Sequence, residues 1–301
     1  MTTVSQRPVD FFSDGLRIRG TLFSPSSCSS PAKKHPIVVF GHGFGGLKEW
    51  AIPETAEALA QAGIAGLSFD YRNFGDSEGM PREEVSHLGR LQNWQDAITY
   101  ALSLPETDAQ RLGIWGTSLG GRDALAIAAV DKRVKSVLAQ APLIYWTESS
   151  AARMAGYDDD LVGFRSDLAK DRMNKMRGDE PQYVHFVRGS GDDIKQSFIE
   201  SLTMGERRSF YNRITLQSYS PTVLMDVSSL ISRISPVPVR FVFAEDDTLP
   251  GQVWAYELAK EPKSLIKIKG HHFSPYMESK SKAIEAARDW FIDTLVVRDA
   301  V

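Results

Sequence analysis

Gly116-Thr117-Ser118-Leu119-Gly120 places a serine between glycines at both two-residue offsets, directly after the apolar run Leu112 to Trp115. That spacing suits a nucleophilic hydroxyl. A serine at a sharp strand-to-helix turn has its Oγ thrust away from the backbone, toward a base and a substrate carbonyl. The flanking glycines let strand and helix approach where a β-carbon would clash. A hydroxyl attacks only with a base to take its proton and an acid to orient that base. Behind the apolar run Val239 to Phe243 lies Ala244-Glu245-Asp246-Asp247-Thr248-Leu249-Pro250. Asp247 is read as the acid, because it sits in the turn with Pro250 shortly behind it to start a helix; Asp246 is the alternative. After Leu265 to Ile268 comes Gly270-His271-His272-Phe273. His272 is read as the base and His271 as a supporting neighbour. Adjacent histidines rarely face one ion, so zinc is not expected, and acyl transfer calls for no cofactor.

An acyl-transfer site also needs donors for the oxyanion. Pro36 to Phe40 is apolar and of strand length, and it runs into Gly41-His42-Gly43-Phe44-Gly45-Gly46. The amides of Phe44 and Leu119 are assigned as the two donors. A phosphate cradle would want a following Lys-Ser or Lys-Thr pair or a regular Gly-x-Gly-x-x-Gly run, and neither is present. His42 belongs to this loop. His35, His87 and His185 carry no motif and are read as solvent-facing or structural.

Elements that could hold these residues in place follow from the periodicity. Val9 to Phe12 and Leu16 to Phe23 read as a hairpin around Ser13-Asp14-Gly15. Strands are expected at Ile37–Phe40, Ala65–Phe69, Leu112–Trp115 and Val134–Ala139, alternating with helices at Pro53–Ala62, Val85–Leu104 and Leu119–Val130. Such alternation predicts a mostly parallel sheet with helices on both faces, with ligands at the carboxyl ends of its strands. Both glycine motifs fall at those ends. From Leu143 to about Ser235 the pattern turns helical and amphipathic, and strands resume at Val237 to Phe243. The expected division is therefore a core of 1–142 and 236–301 with a helical cap, 143–235, inserted over the site. Tyr145, Trp146, Tyr157 and Phe210 are expected to face Ser118 across an elongated apolar cavity and to bind the substrate. Trp94, Trp115, Trp146, Trp254 and Phe164 could line an apolar pocket, though each is more simply read as core.

The 301 residues are 42% hydrophobic and 24% charged, with a formal net charge of −3, which suits one sizeable globular enzyme. Nothing favours nucleic acid or an anionic membrane as a partner. Cys28 is the single cysteine, so no intramolecular disulfide forms. No apolar leader or membrane-length run is visible, and the protein is expected in the cytoplasm. The oligomeric state is open, a homodimer being one option.

Nearly the whole chain resembles the α/β-hydrolase superfamily. The resemblance rests on His42-Gly43-Phe44-Gly45-Gly46, Asp70-Tyr71-Arg72-Asn73-Phe74-Gly75-Asp76-Ser77-Glu78-Gly79, the Ser118 turn, Asp247 and His272, in that order. Asp70, Arg72 and Ser77 are read as holding their loop. Asn212-Arg213-Ile214-Thr215-Leu216-Gln217-Ser218, Glu261-Pro262-Lys263 and Gly270-His271-His272-Phe273 are similar to motifs of fungal secondary-metabolite hydrolases, including polyketide transferases of the fumagillin type and dienelactone-hydrolase-like proteins. This chain carries His271 where those proteins usually have a second glycine. The resemblance implies a serine hydrolase of an ester, thioester or lactone of a hydrophobic small molecule such as a polyketide of secondary metabolism. Alternatives are an acyltransferase to an alcohol, a cyclase or C–C bond-forming enzyme using the same triad, and a non-catalytic binding protein.

Overall fold

The computed structural model describes residues 4–25, 34–188, 193–220 and 226–296; Cys28 lies outside them. Strands β1 (Val4–Ser13) and β2 (Leu16–Pro25) form the expected hairpin, pairing Ser13 with Leu16 across a two-residue loop. Asp14 and Gly15 both take positive φ, 52° and 77°, the geometry that lets a two-residue turn follow the strand twist.

Alternation then proceeds through β3 (His35–Gly41), α1 (Pro53–Gln61), β4 (Ala65–Phe69), α2 (His87–Ser103), β5 (Thr107–Thr117), α3 (Leu119–Val130) and β6 (Val134–Gln140). Every residue of β3 and β4 is buried, as strands covered on both faces must be. Helix α2 is capped by the Ser86 hydroxyl, which accepts from the Gly89 amide, and α1 starts with Pro53. Strand β5 begins five residues before the apolar run that marks it: Thr107 pairs with His35, and the register then shifts before Ile37 meets Leu112.

Between β6 and the next sheet strand the chain forms α4 (Glu148–Met154), α5 (Leu161–Met176), β7 (Tyr183–Val184), α6 (Asp193–Ser201), β8 (Ile214–Thr215), a 3₁₀ turn at Leu216–Tyr219 and α7 (Ser228–Ile231). The segment is thus not wholly helical: β7 and β8 pair as a short antiparallel ribbon. Strand β9 (Val239–Ala244), α8 (Gln252–Leu258), β10 (Lys263–Ile268) and α9 (Lys280–Leu295) complete the fold.

The eight-stranded sheet runs β1-β2-β4-β3-β5-β6-β9-β10. Strand β2 is antiparallel to both neighbours, and all other pairs are parallel. One face packs on α2, α3, α7 and α8 through Trp94, Leu125, Ile231 and Phe241. Ile144, Ile231 and Ile234, at the two ends of the 143–235 segment, join this core rather than the site. The opposite face packs on α1 and α9 through Ala56, Leu59, Trp290 and Phe291. A third cluster sits over the strand ends, where Phe44, Trp50 and Leu119 meet Trp146, Phe164, Phe186, Phe198 and Tyr219.

Candidate active site

Ser118 joins β5 to α3 with φ 55° and ψ −120°, a backbone state that a side chain adopts only under constraint. The constraint is visible in its neighbours. A β-carbon on Gly116 would lie 2.0 Å from the Gly120 carbonyl oxygen, and one on Gly120 would lie 2.3 Å from the Gly41 oxygen. Strand, helix and the loop after β3 therefore converge on three glycines, leaving the Ser118 side chain to project over the strand ends. The Ser118 amide donates to the Gln140 carbonyl at 2.9 Å, and its carbonyl accepts from Leu143 at 3.0 Å.

The Ser118 hydroxyl lies 3.1 Å from His272 Nε2, and His272 Nδ1 lies 2.8 Å from Asp247 Oδ2. Burial alone would raise the Asp247 carboxyl. Hydrogen bonds from His272, the Leu249 amide and Gln252 outweigh it and hold the group below its usual range. An ionised carboxylate only accepts, so Nδ1 carries the imidazole proton and Nε2 faces the serine as an acceptor. Asp246 is exposed, its amide tied to the Gly270 carbonyl at 2.9 Å, and its carboxylate is no part of this line. His271 turns its Nδ1 back to accept the Phe273 amide at 3.1 Å, away from the serine.

The loop after β3 comes close enough that a β-carbon on Gly43 would lie 3.1 Å from Ser118 Cβ. Arg90 fixes this loop: its guanidinium donates to the His42 carbonyl at 2.9 Å, pairs with Asp123 at 2.7 Å and lies 3.6 Å over the Tyr71 ring. Burial, reinforced by Arg90, keeps the His42 imidazole neutral, well below its usual pKa. Leu119 opens α3, so its N–H belongs to the first turn, whose amides have no carbonyl one helical turn back to donate to. Phe44 lines the same cavity.

That cavity holds about 270 Å³. Its walls are mainly apolar and aromatic: Trp50, Leu143, Trp146, Phe186, Phe198 and Phe273 among them. Of the four side chains expected to face Ser118 across it, Trp146 is in the wall; the other three are elsewhere. Tyr145 turns to the far side of Asp247, edge-on to Trp254 at 6.3 Å. Tyr157 packs on Phe164 and hydrogen-bonds Asp167 at 2.7 Å. Phe210 stands one layer back, against Trp50 and Phe186. The sequence shows how many large apolar side chains the 143–235 segment carries but not the path of its backbone, which alone separates a wall from the layer behind it. Trp50, Phe186 and Phe198 are the aromatic wall that sequence reasoning missed. Tyr276 was also missed; it lines the cavity and shares a hydrogen bond with the Thr117 hydroxyl, to which Gln140 donates at 3.3 Å. A second cavity, of about 500 Å³, lies behind Asp247 and is bounded by Tyr145, Leu249, Gly251, Gln252 and Trp254.

Ties between core and inserted segment flank the site. Trp50 Nε1 donates to the Glu206 carbonyl at 2.9 Å, Arg208 pairs with Asp76 at 2.9 Å, and buried His87 reaches the Ser218 carbonyl at 3.1 Å. His35 is likewise buried, with Nδ1 3.2 Å from the Gly63 carbonyl, while His185 is exposed. Asp70 accepts from the Lys48 amide and ammonium and from the Asp76 amide, Ser77 binds the Asp70 carbonyl at 2.7 Å, and Arg72 reaches Ser13 and Asp14. Among the described residues, Glu49, Asp70 and Asp76 are the acids close enough together to share a cation. The Lys48 ammonium already sits among them, at 2.7, 2.7 and 3.1 Å. No helix of the described residues is long and apolar enough to cross a membrane.

Comparison with known proteins agrees with this architecture. The alpha/beta hydrolase fold family matches residues 36–213, from β3 through the Ser118 turn and into the inserted segment. The chain belongs to this family. This α/β-hydrolase is 31% identical over 281 residues to the polyketide transferase grgF of a Penicillium species, covering 90% of both chains. It is 30% identical over 276 residues to the thiohydrolase aneE of Aspergillus aculeatus, covering 86% of this chain and 84% of that protein. The crystal structure of the alpha/beta hydrolase GrgF from Penicillium sp. superposes on this α/β-hydrolase with a TM-score of 0.82 at 26% identity, covering 97% of this chain and all of the other.

Proposed function

We propose that this α/β-hydrolase is a serine acyl-transfer enzyme that cleaves an ester, thioester or lactone of a hydrophobic small molecule of the polyketide class. One observation carries the reading: Ser118, His272 and Asp247 stand in a single hydrogen-bonded line opening into an aromatic cavity. Ser118 Oγ attacks the carbonyl carbon as His272 Nε2 takes its proton, and the developing oxyanion is held by the amides of Phe44 and Leu119. Collapse breaks the bond to the leaving oxygen or sulfur, which takes the proton back from His272. Water, deprotonated by His272, then attacks the acyl-serine, and His272 returns that proton to Ser118 Oγ as the acid leaves. Asp247 keeps the imidazole in the required tautomer throughout. The 143–235 segment acts as a cap, with Trp146, Phe186 and Phe198 shielding the acyl group from bulk water. The protein works in the cytoplasm in this reading.

A second reading, transfer of the acyl group to an alcohol, is favoured by the names borne by its relatives, which include a polyketide transferase as well as a thiohydrolase. The two differ only in what attacks the acyl-serine. Incubating the enzyme with a panel of acyl esters and thioesters, with and without alcohols, and identifying products by mass separates them. Free acid alone supports hydrolysis, and a new ester supports transfer. Turnover that survives removal of the Ser118 hydroxyl would sink both.

A further inference from the structure

The Asp247 carboxylate receives three donors, and the sequence motifs account for only one of them. Its Oδ1 takes the Leu249 amide at 2.9 Å. Its Oδ2 takes both His272 Nδ1 and the Gln252 side-chain amide, each at 2.8 Å. Gln252 is 6% exposed and stands at the first position of α8. Its amide therefore shares the very oxygen on which the imidazole depends.

The approach of α8 is fixed from below. Gly251 has φ +90°, and a β-carbon there would lie 2.8 Å from the Tyr145 ring and 3.0 Å from Ile144 Cβ. Only glycine lets the chain turn this tightly over Tyr145, and the turn aims the next residue, Gln252, at the acid. Tyr145 is thus a buttress behind Asp247, which gives a physical role to a residue that does not line the substrate cavity.

We propose that Gln252 is a positioning residue: its amide pins Asp247 Oδ2 in the plane of the His272 imidazole and shares that oxygen's charge. The inference rests on the serine, histidine and aspartate reading given above. A neutral donor on Oδ2 drains charge that would otherwise stabilise the imidazolium. It also prevents the carboxylate from rotating Oδ2 off the ring.

Two variants test this, with p-nitrophenyl octanoate as the probe and Ser118→Ala and Asp247→Asn run in parallel. Gln252→Leu removes the donor. It should lower kcat about 10- to 100-fold with KM unchanged, and move the acid limb of the kcat/KM profile upward, because the carboxylate left with fewer donors favours the protonated imidazole. Gln252→Glu keeps the shape but replaces the donor by a titratable acid. Protonated, it donates to Asp247 as the amide does; ionised, it sets two carboxylates against each other. Its activity relative to the parent should fall by about tenfold or more from pH 5.5 to 8.5. A residue that merely fills space would leave the acid limb of Gln252→Leu where the parent has it. Wild-type kinetics and an unmoved acid limb in Gln252→Leu overturn the inference while leaving the triad reading intact. Should Gln252→Leu fail to fold, Gln252→Met, which keeps the length without the donor, is read in the same way. If Ser118→Ala and Asp247→Asn retain turnover, the triad reading itself falls, and this inference with it.

Discussion

Gly116 and Gly120 touch at the base of the Ser118 turn, so closely that a β-carbon on the first would overlap the carbonyl oxygen of the second at 2.0 Å. Neither partner can yield, because both atoms belong to the backbone of buried elements. Gly116→Ala should therefore cost about 3 kcal/mol or more, visible as a lowered denaturant midpoint in urea unfolding. Gly63, where a β-carbon would meet nothing within 4 Å but φ is +87°, should tolerate alanine better, losing about 1 kcal/mol. An unshifted midpoint for Gly116→Ala would show that the convergence of strand and helix is not rigid.

Ser118→Ala should lose about 10⁴-fold in turnover or more while melting like the parent protein. Near-normal turnover would remove the nucleophile assignment.

Within the paired candidates, His272→Ala and Asp247→Asn should be severe, whereas His271→Ala and Asp246→Asn should change kcat/KM by less than about tenfold. His271 turns its Nδ1 to the Phe273 amide and Asp246 is exposed. A reversed ranking in either pair, measured on the same ester, would shift the triad by one residue.

Buried His87 yields a pH dependence of stability. Burial, reinforced by the charge of Arg122, lowers its pKa to about 4, below the value of about 6.5 for an exposed imidazole. Between those values the unfolded chain binds a proton that the folded chain refuses, so stability falls as pH drops from about 6.5 to 4 and levels off below. The slope from this group is at most about 1.4 kcal/mol per pH unit. His42 contributes with the same sign, its pKa also being depressed by burial. His87→Gln should remove one proton's share of the slope. Unfolding free energies of parent and variant that run parallel across this window would show that His87 is protonated alike in both states.

In the proposed reaction the aromatic wall would set a chain-length preference. Phe198, packed between Phe273 and Tyr276 at 5.1 and 5.6 Å, bounds the cavity from α6. Phe198→Ala should move the best p-nitrophenyl ester toward longer acyl chains, gaining about fourfold in kcat/KM for each methylene newly buried. A length profile that does not move would place the acyl group elsewhere.

Much of the fold could be read from the chain because its signals are local. Ile37 to Phe40 is apolar without interruption because both faces of its strand are covered, and Asp14-Gly15 has the chemistry a tight hairpin turn demands. Ser118 was legible for the same reason: glycine spacing records a steric need confined to five residues. Asp247 and His272 were legible through chain order, although Asp246 and His271 could be set aside only once side-chain directions were known. Gln252 left no mark, since any hydrogen-bonding residue could occupy the start of a helix and its role exists only through a partner five residues away in a folded turn. Tyr145 and Trp146 show the limit most sharply. They are consecutive and both aromatic, yet Trp146 lines the cavity at Ser118 and Tyr145 faces the opposite side of Asp247. Composition and periodicity treat such neighbours alike, and only the path of the backbone separates them.

The partition formed by Asp247 and Leu249 belongs to both cavities. A small molecule lodged behind it, against Gln252 and Trp254, would never meet the acyl chain and would not compete with it. It could nonetheless lever the carboxylate out of line, slowing turnover at saturating substrate while leaving affinity untouched. Asp247 and Leu249 thus join the line through Ser118 to a face of the molecule on the far side of the acid.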